Sequence, residues 1–127
     1  MNKLIKFIVI LALVHASLQI DATGLARANS LIGQSRGNYV CNQVVNYALN
    51  GNKNVGGLAK DYLNYGSRVT GAPRAGDVVV GNDGRHVGIY TGPNQFIHSS
   101  VSKHSVIPAN QGQLKYVFPK GYQVRRK

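Results

Sequence analysis

Between Pro73 and Ser100 the chain reads PRAGDVVVGNDGRHVGIYTGPNQFIHSS, and no other stretch limits the fold so tightly. Short runs of β-branched and aromatic residues alternate there with turn residues. Asp77–Val80 is expected to be a strand, Asn82-Asp83-Gly84 a tight turn, and Arg85–Thr91 a second strand. Gly92-Pro93-Asn94 turns the chain again into Gln95–Ser100. Ser105–Ile107 is expected to add a short strand before Pro108, and Leu114–Phe118 a further one before Pro119. Ahead of Pro73 the spacing is helical instead, over Leu25–Ile32, over the stretch after Asn38, and over Leu58–Tyr65 up to Gly66. Helices followed by an antiparallel meander define an α+β domain.

The stretch Tyr39–Leu49, YVCNQVVNYAL, holds Cys41, the single cysteine of the chain, so no intramolecular disulfide is available. Asn38 is suited to cap a helix here, because its side-chain oxygen can accept from an unpaired N–H of the first turn. Val40, Val44, Val45, Ala48 and Leu49 recur at helical spacing, and Gly51 stands where a glycine ends a helix. Counted from Asn38, Cys41 is the third helical residue. The free N–H groups and the positive end of the helix dipole favour an anion at such a position. With a histidine nearby, a thiol placed there can fall to a pKa of about 3.5–7.5.

Lys3 and Lys6 precede an apolar run from Phe7 to Val14 and then small residues, the pattern of a secretory leader. The run is far shorter than the ~20 residues that span a membrane. Cleavage is expected after Ala16 or after Ala22, which makes 1–22 a signal peptide and 23–127 a single secreted, extracellular domain. With no disulfide, packing alone must hold that domain together. The full chain carries 15 Lys and Arg against 4 acidic residues, all of them Asp. The leader removes Lys3, Lys6 and Asp21, which leaves 13 against 3 and a formal charge of +10. Such a field attracts anionic polymers, including those of a bacterial surface. Arg125-Arg126-Lys127 reads as a mobile basic tail.

Two of the four histidines, His86 and His98, fall on the meander. A hairpin centred on Gly92 sets them directly opposite one another, on one face, while Val87, Ile89 and Ile97 point to the other. A slip of one residue would separate them. If the cysteine helix packs over the histidine face, thiol and two imidazoles form a row. Cys41 then attacks a carbonyl, His86 takes and returns a proton, and His98 holds the far nitrogen of His86. Backbone N–H groups at the helix start meet the oxyanion.

The block from Pro73 to Ser100 resembles the C-terminal half of the NlpC family of cell-wall cysteine peptidases, through its GD-initiated strand, its HVGIY and the histidine of FIHSS a hairpin away. The resemblance implies a papain-like core, with the cysteine helix packed on the antiparallel sheet. It implies Cys41 as nucleophile, His86 as base, His98 as orienting residue and Asp77 as structural. Residues around the cysteine depart from the family pattern: Val40 replaces the usual Asp, and Asn42-Gln43 the usual Ser-Gly. Asn38, Tyr39 and Gln43 are the candidates for substrate and oxyanion contacts. The cysteine segment is similar to that of small amidase effectors that bacteria inject into rivals, and to their secreted descendants in ticks and mites. The activity implied is hydrolysis of peptidoglycan stem peptides, the D-Ala–diaminopimelate cross-link being favoured, in an antibacterial role. No cofactor, metal or nucleic-acid partner is expected, and the protein is expected to be a monomer.

Three rival readings use the same residues. A basic ribonuclease could be built from His86, His98 and Lys103, but it leaves Cys41 and HVGIY without a task. A cationic antimicrobial or binding protein would act by charge alone. A zinc site from Cys41, His86 and His98 has suitable donors, but no closely spaced ligand pair and no Glu to act as base.

Overall fold

The computed structural model describes residues 22–127. The expected leader, except for its last residue, lies outside the described residues. Helix α1 spans 22–30 and α2 spans Cys41–Asn50. A 3₁₀ helix over Ala59–Asn64 stands in the place of the helix expected over Leu58–Tyr65. The strands are β1 (Ser67–Arg68), β2 (Val78–Gly81), β3 (Val87–Gly92), β4 (Gln95–Ser100), β5 (Ser105–Asn110) and β6 (Tyr122–Arg126). A 3₁₀ turn, Gln111–Gln113, leads into the short helix α3 (Leu114–Val117). All six strands form one antiparallel sheet in the order β1-β6-β2-β3-β4-β5.

The sheet is buried on both faces, which explains the unbroken Val78-Val79-Val80 run in β2. On the first face, Val44, Val45 and Ala48 of α2 pack with Ala28 and Leu31 against Val78, Val80, Val87, Ile89, Ile97 and Val106. Each fully buried Val or Ile contributes about 1.5–3 kcal/mol. On the second face, Val79, Tyr90, Phe96 and Val124 meet Ala109, Leu114 and Phe118. The first face is therefore covered by helices, and the second by the chain that follows β5.

Three expectations fail here for identifiable reasons. Leu114–Phe118 is helical rather than extended: Leu114, Val117 and Phe118 have i, i+3, i+4 spacing, and all three pack on the second face. The amide of Phe118 donates to Leu114 O at 2.7 Å, and Asn110 N donates to Gln113 Oε1 at 2.9 Å to fix the entry. Arg125 and Arg126 are not a mobile tail but part of β6, which lies between β1 and β2. Their charges are engaged. Arg126 bonds Asp77 through Nε and Nη2 at 2.8 and 2.7 Å, and Arg125 Nε donates to Tyr65 O at 2.8 Å. Gly66, at φ 51°, lets the chain pass Arg126 O, which would lie 2.1 Å from any Cβ there. β5 also runs through Pro108 instead of stopping before it, as an edge strand permits.

Candidate active site

The helix that carries the thiol starts two residues later than its capping pattern implies. Val40, not Asn38, is the N-cap, so Cys41 is the first helical residue rather than the third. Gln43 reaches back, its Oε1 accepting from Val40 N at 3.1 Å, which gives this side chain a capping task. Asn38 is exposed, and its carbonyl accepts from Lys53 Nζ at 2.9 Å. Tyr39 packs edge-on against Tyr47 with ring centres 6.0 Å apart, under Lys53. The far end of α2 is as expected: Gly51, at φ 74°, closes the helix by donating to Tyr47 O.

The histidines share a face, although by a different register. Ile89 pairs with Ile97 and Tyr90 with Phe96, so His98 continues to a position across from Gly88, and His86 lies two residues further on. The turn itself is Pro93-Asn94, closed by the Gly92–Gln95 pair, with an irregularity between Tyr90 and Gly92. A two-residue offset preserves the face, and diagonal neighbours remain within reach of long side chains. Gly88 puts no side chain between them. His86 Nε2 and His98 Nδ1 are 2.8 Å apart, with the rings almost perpendicular.

α2 packs on the opposite face of the sheet from the histidines, with Val87, Ile89 and Ile97. The thiol nevertheless meets the chain at His86, because α2 delivers it to the start of β3. Cys41 Sγ lies 3.9 Å from the carbonyl oxygen of Arg85, the residue immediately before His86. The N–H groups of Cys41 and Asn42, at the start of α2, act to lower the pKa of the thiol. They are donors of the kind that stabilise an oxyanion.

The thiol and both imidazoles rest uncharged. Burial pushes the Cys41 thiol above its ordinary pKa, outweighing the surrounding N–H groups and the charge of Arg36, so the lowered value expected from the helix terminus is not found. His86 is brought down to about 4, first by burial and then by Arg36. His98 is also brought down to about 4, by burial, His86 and Arg36. Arg36 carries no signal in the sequence. Its Nη1 donates to Ser99 O at 2.9 Å, and its charge bears on all three groups. A groove of about 640 Å³ is lined by His86 and His98 together with Arg36, Lys103, Tyr116 and Phe118. A larger cavity, about 790 Å³, lies by the far end of α2, where Asp77 is already held by Arg126. Among the described residues, no three His, Cys, Asp or Glu side chains converge as a metal site, and no helix is long and apolar enough to cross a membrane.

A thiol brought by a helix terminus to the end of a strand, with an imidazole pair on the neighbouring hairpin, belongs to the papain-like class of cysteine hydrolases. Residues 29–126 match the NlpC/P60 family, and the chain belongs to that family, whose members are cysteine peptidases that hydrolyse peptidoglycan. Over 37 residues the chain is 54% identical to the murein DD-endopeptidase MepS/murein LD-carboxypeptidase of Escherichia coli K12, a match covering 27% of this chain and 20% of that protein. The fold is similar to that of the peptidoglycan hydrolase RipB from Mycobacterium tuberculosis, with TM-score 0.66 and 24% identity over 85% of this chain and 64% of that one. It is likewise similar to the NlpC/p60 domain of the peptidoglycan hydrolase SagA, with TM-score 0.62 and 21% identity over 84% of this chain and 98% of that one.

Proposed function

We propose that this chain hydrolyses amide bonds in the stem peptides of peptidoglycan by a Cys41–His86–His98 triad. The observation that carries the reading is the 2.8 Å bond between His86 Nε2 and His98 Nδ1, with the thiol of Cys41 3.9 Å from the carbonyl of the residue immediately before His86. The tautomer able to serve as base has Nε2–H of His86 donating to His98, which leaves the Nδ1 lone pair for the thiol proton. Because thiol and imidazole both rest neutral, the proton moves as the attack proceeds. Cys41 Sγ bonds to the carbonyl carbon and Nδ1 receives the proton. The C–N bond then breaks and the amine departs with that proton, leaving a thioester on sulfur. Water attacks the thioester, giving one proton to His86; the C–S bond then breaks, His86 returns that proton to the sulfur, and the acid leaves the free thiol behind. The N–H groups of Cys41 and Asn42 carry the oxyanion.

Within that activity, the favoured bond is the D-Ala–diaminopimelate cross-link, and the protein acts outside the cell, as a monomer, against bacteria. The leader pattern supports export, and the formal +10 of residues 23–127 supports retention on an anionic wall. Cys41→Ala tests the activity: the variant is expected to keep its circular dichroism and lose lysis of purified sacculi. Substantial hydrolysis by that variant, in a clean preparation, removes the thiol mechanism.

A further inference from the structure

The geometry points to Arg36 as the residue that holds a substrate carboxylate beside the scissile amide. This rests on the stem-peptide reading and specifies which part of that substrate the site recognises. Arg36 is half-buried and fixed at Nη1 to Ser99 O, and its backbone N–H donates to His104 O at 3.0 Å, so both ends of the residue are tied. Among the described residues the remaining guanidinium nitrogens have no hydrogen-bond partner, and the single ion pair is Arg126–Asp77. The other cations of the histidine groove, Arg85, Lys103 and Lys120, are exposed. Asp83 is the one acid on its wall, and it is also exposed. A half-buried, preorganised guanidinium without a counter-ion is suited to a planar anion, which it can grip through two N–H donors.

Stem-peptide chemistry supplies such an anion next to either candidate bond. In the D-Ala–diaminopimelate cross-link, the carbon bearing the amide nitrogen also bears a free carboxylate. In the γ-D-Glu–diaminopimelate bond, the nearby carboxylate is the α-carboxylate of D-Glu, on the acyl side. Arg36 lines the same groove as His86 and His98 and is tied to the carbonyl of Ser99, next to His98, so a carboxylate on it lies beside the imidazole pair in either case. With the cross-link as the favoured bond, the ligand is the diaminopimelate carboxylate.

The test compares purified cross-linked dimers whose diaminopimelate carboxylate is free or amidated, and uncross-linked stem peptides in which diaminopimelate follows D-Glu or D-isoglutamine. The wild type is expected to prefer the free diaminopimelate acid by about tenfold or more in kcat/KM. Arg36→Gln should bring that acid-to-amide ratio close to one, and Arg36→Lys should recover only part of it. A preference confined to the D-Glu pair, and lost in Arg36→Gln, assigns the other carboxylate and overturns the diaminopimelate choice. If the wild type cleaves acid and amide equally, or if Arg36→Gln shifts the pH profile of both substrates alike without changing their ratio, Arg36 binds no substrate carboxylate. If the wild type cleaves none of these substrates, the stem-peptide reading has failed first. Matching circular dichroism of the variants excludes misfolding as the cause.

Discussion

The ring of Phe118 stands 5.5 Å from that of His86 and 6.0 Å from that of Phe96, so the second-face core ends directly against the proposed base. His86 is therefore held from two sides, by a polar bond from His98 and by an apolar wall from Phe118. Phe118→Ala should cost about 3–5 kcal/mol, the usual result of emptying a buried aromatic site. Phe118→Leu should cost less stability but still lower kcat, with KM little changed, because a loosened imidazole misses its orientation. Denaturant unfolding and steady-state kinetics check both. An unchanged kcat in a folded Phe118→Leu would show that the wall does not position His86.

His86→Ala should reduce kcat/KM by about 10²–10⁴-fold, the range for losing a positioned acid–base group. His98→Gln should retain more activity than His86→Ala, since it removes tautomer and ring control but not the proton acceptor. The reverse ranking, measured on one soluble muropeptide, would exchange the two roles.

The pH dependence follows from the direction of the histidine shifts. Folded-state pKa values near 4, against 6.5 for an ordinary histidine, mean that the neutral, basic form persists in mildly acidic solution. Activity should therefore hold from pH 7 down to about pH 5 and fall as pH approaches 4. Stability follows the same sign: the unfolded chain binds these protons more readily, so the contribution is complete above pH 6.5 and is lost as pH falls toward 4. A kcat/KM profile with its acid limb centred at 6.5 would contradict the neutral resting pair.

Digestion of diaminopimelate-type sacculi should deplete cross-linked dimers and accumulate intact tetrapeptide monomers. Mass spectrometry of the products decides this. Dipeptide stems ending in D-Glu would show that the other bond is cut, with the triad unaffected.

Added salt should depress activity on whole cells more steeply than on a short soluble muropeptide, because attraction to the wall is screened beyond a Debye length of about 10 Å at 0.1 M. Parallel salt curves for the two substrates would remove wall retention as the purpose of the charge.

Much of this architecture is legible in the residues, and the failures have local causes. Turn residues and β-branched runs mark the β2–β4 meander, and the parity of Val87, Ile89 and Ile97 marks the face that α2 covers. The histidine register is displaced because Gly92 belongs to the strand and Pro93-Asn94 makes the turn, which a turn assigned to the first glycine misses. α3 is missed because Leu114, Val117 and Phe118 fit a helix and a buried strand about equally over so short a span. The raised thiol pKa depends on how deeply packing seats Cys41, which helix position alone does not reveal. Arg36 is invisible for a different reason: its partner, Ser99 O, is 63 residues away in sequence. No spacing rule spans such a distance.

The insertion of β6 between β1 and β2 also sets an order of assembly. The histidine hairpin is local and can form as soon as β4 has been made. β2, however, keeps a bare hydrogen-bonding edge until the sixth strand arrives to fill it. During synthesis, at about 5–20 residues per second, that edge stays open on the order of seconds while the intervening chain is completed. An unpaired valine-rich edge is a template for another chain. The most vulnerable moment of this protein therefore falls within its own production, after the pair of imidazoles can exist and before the sheet around them is shut.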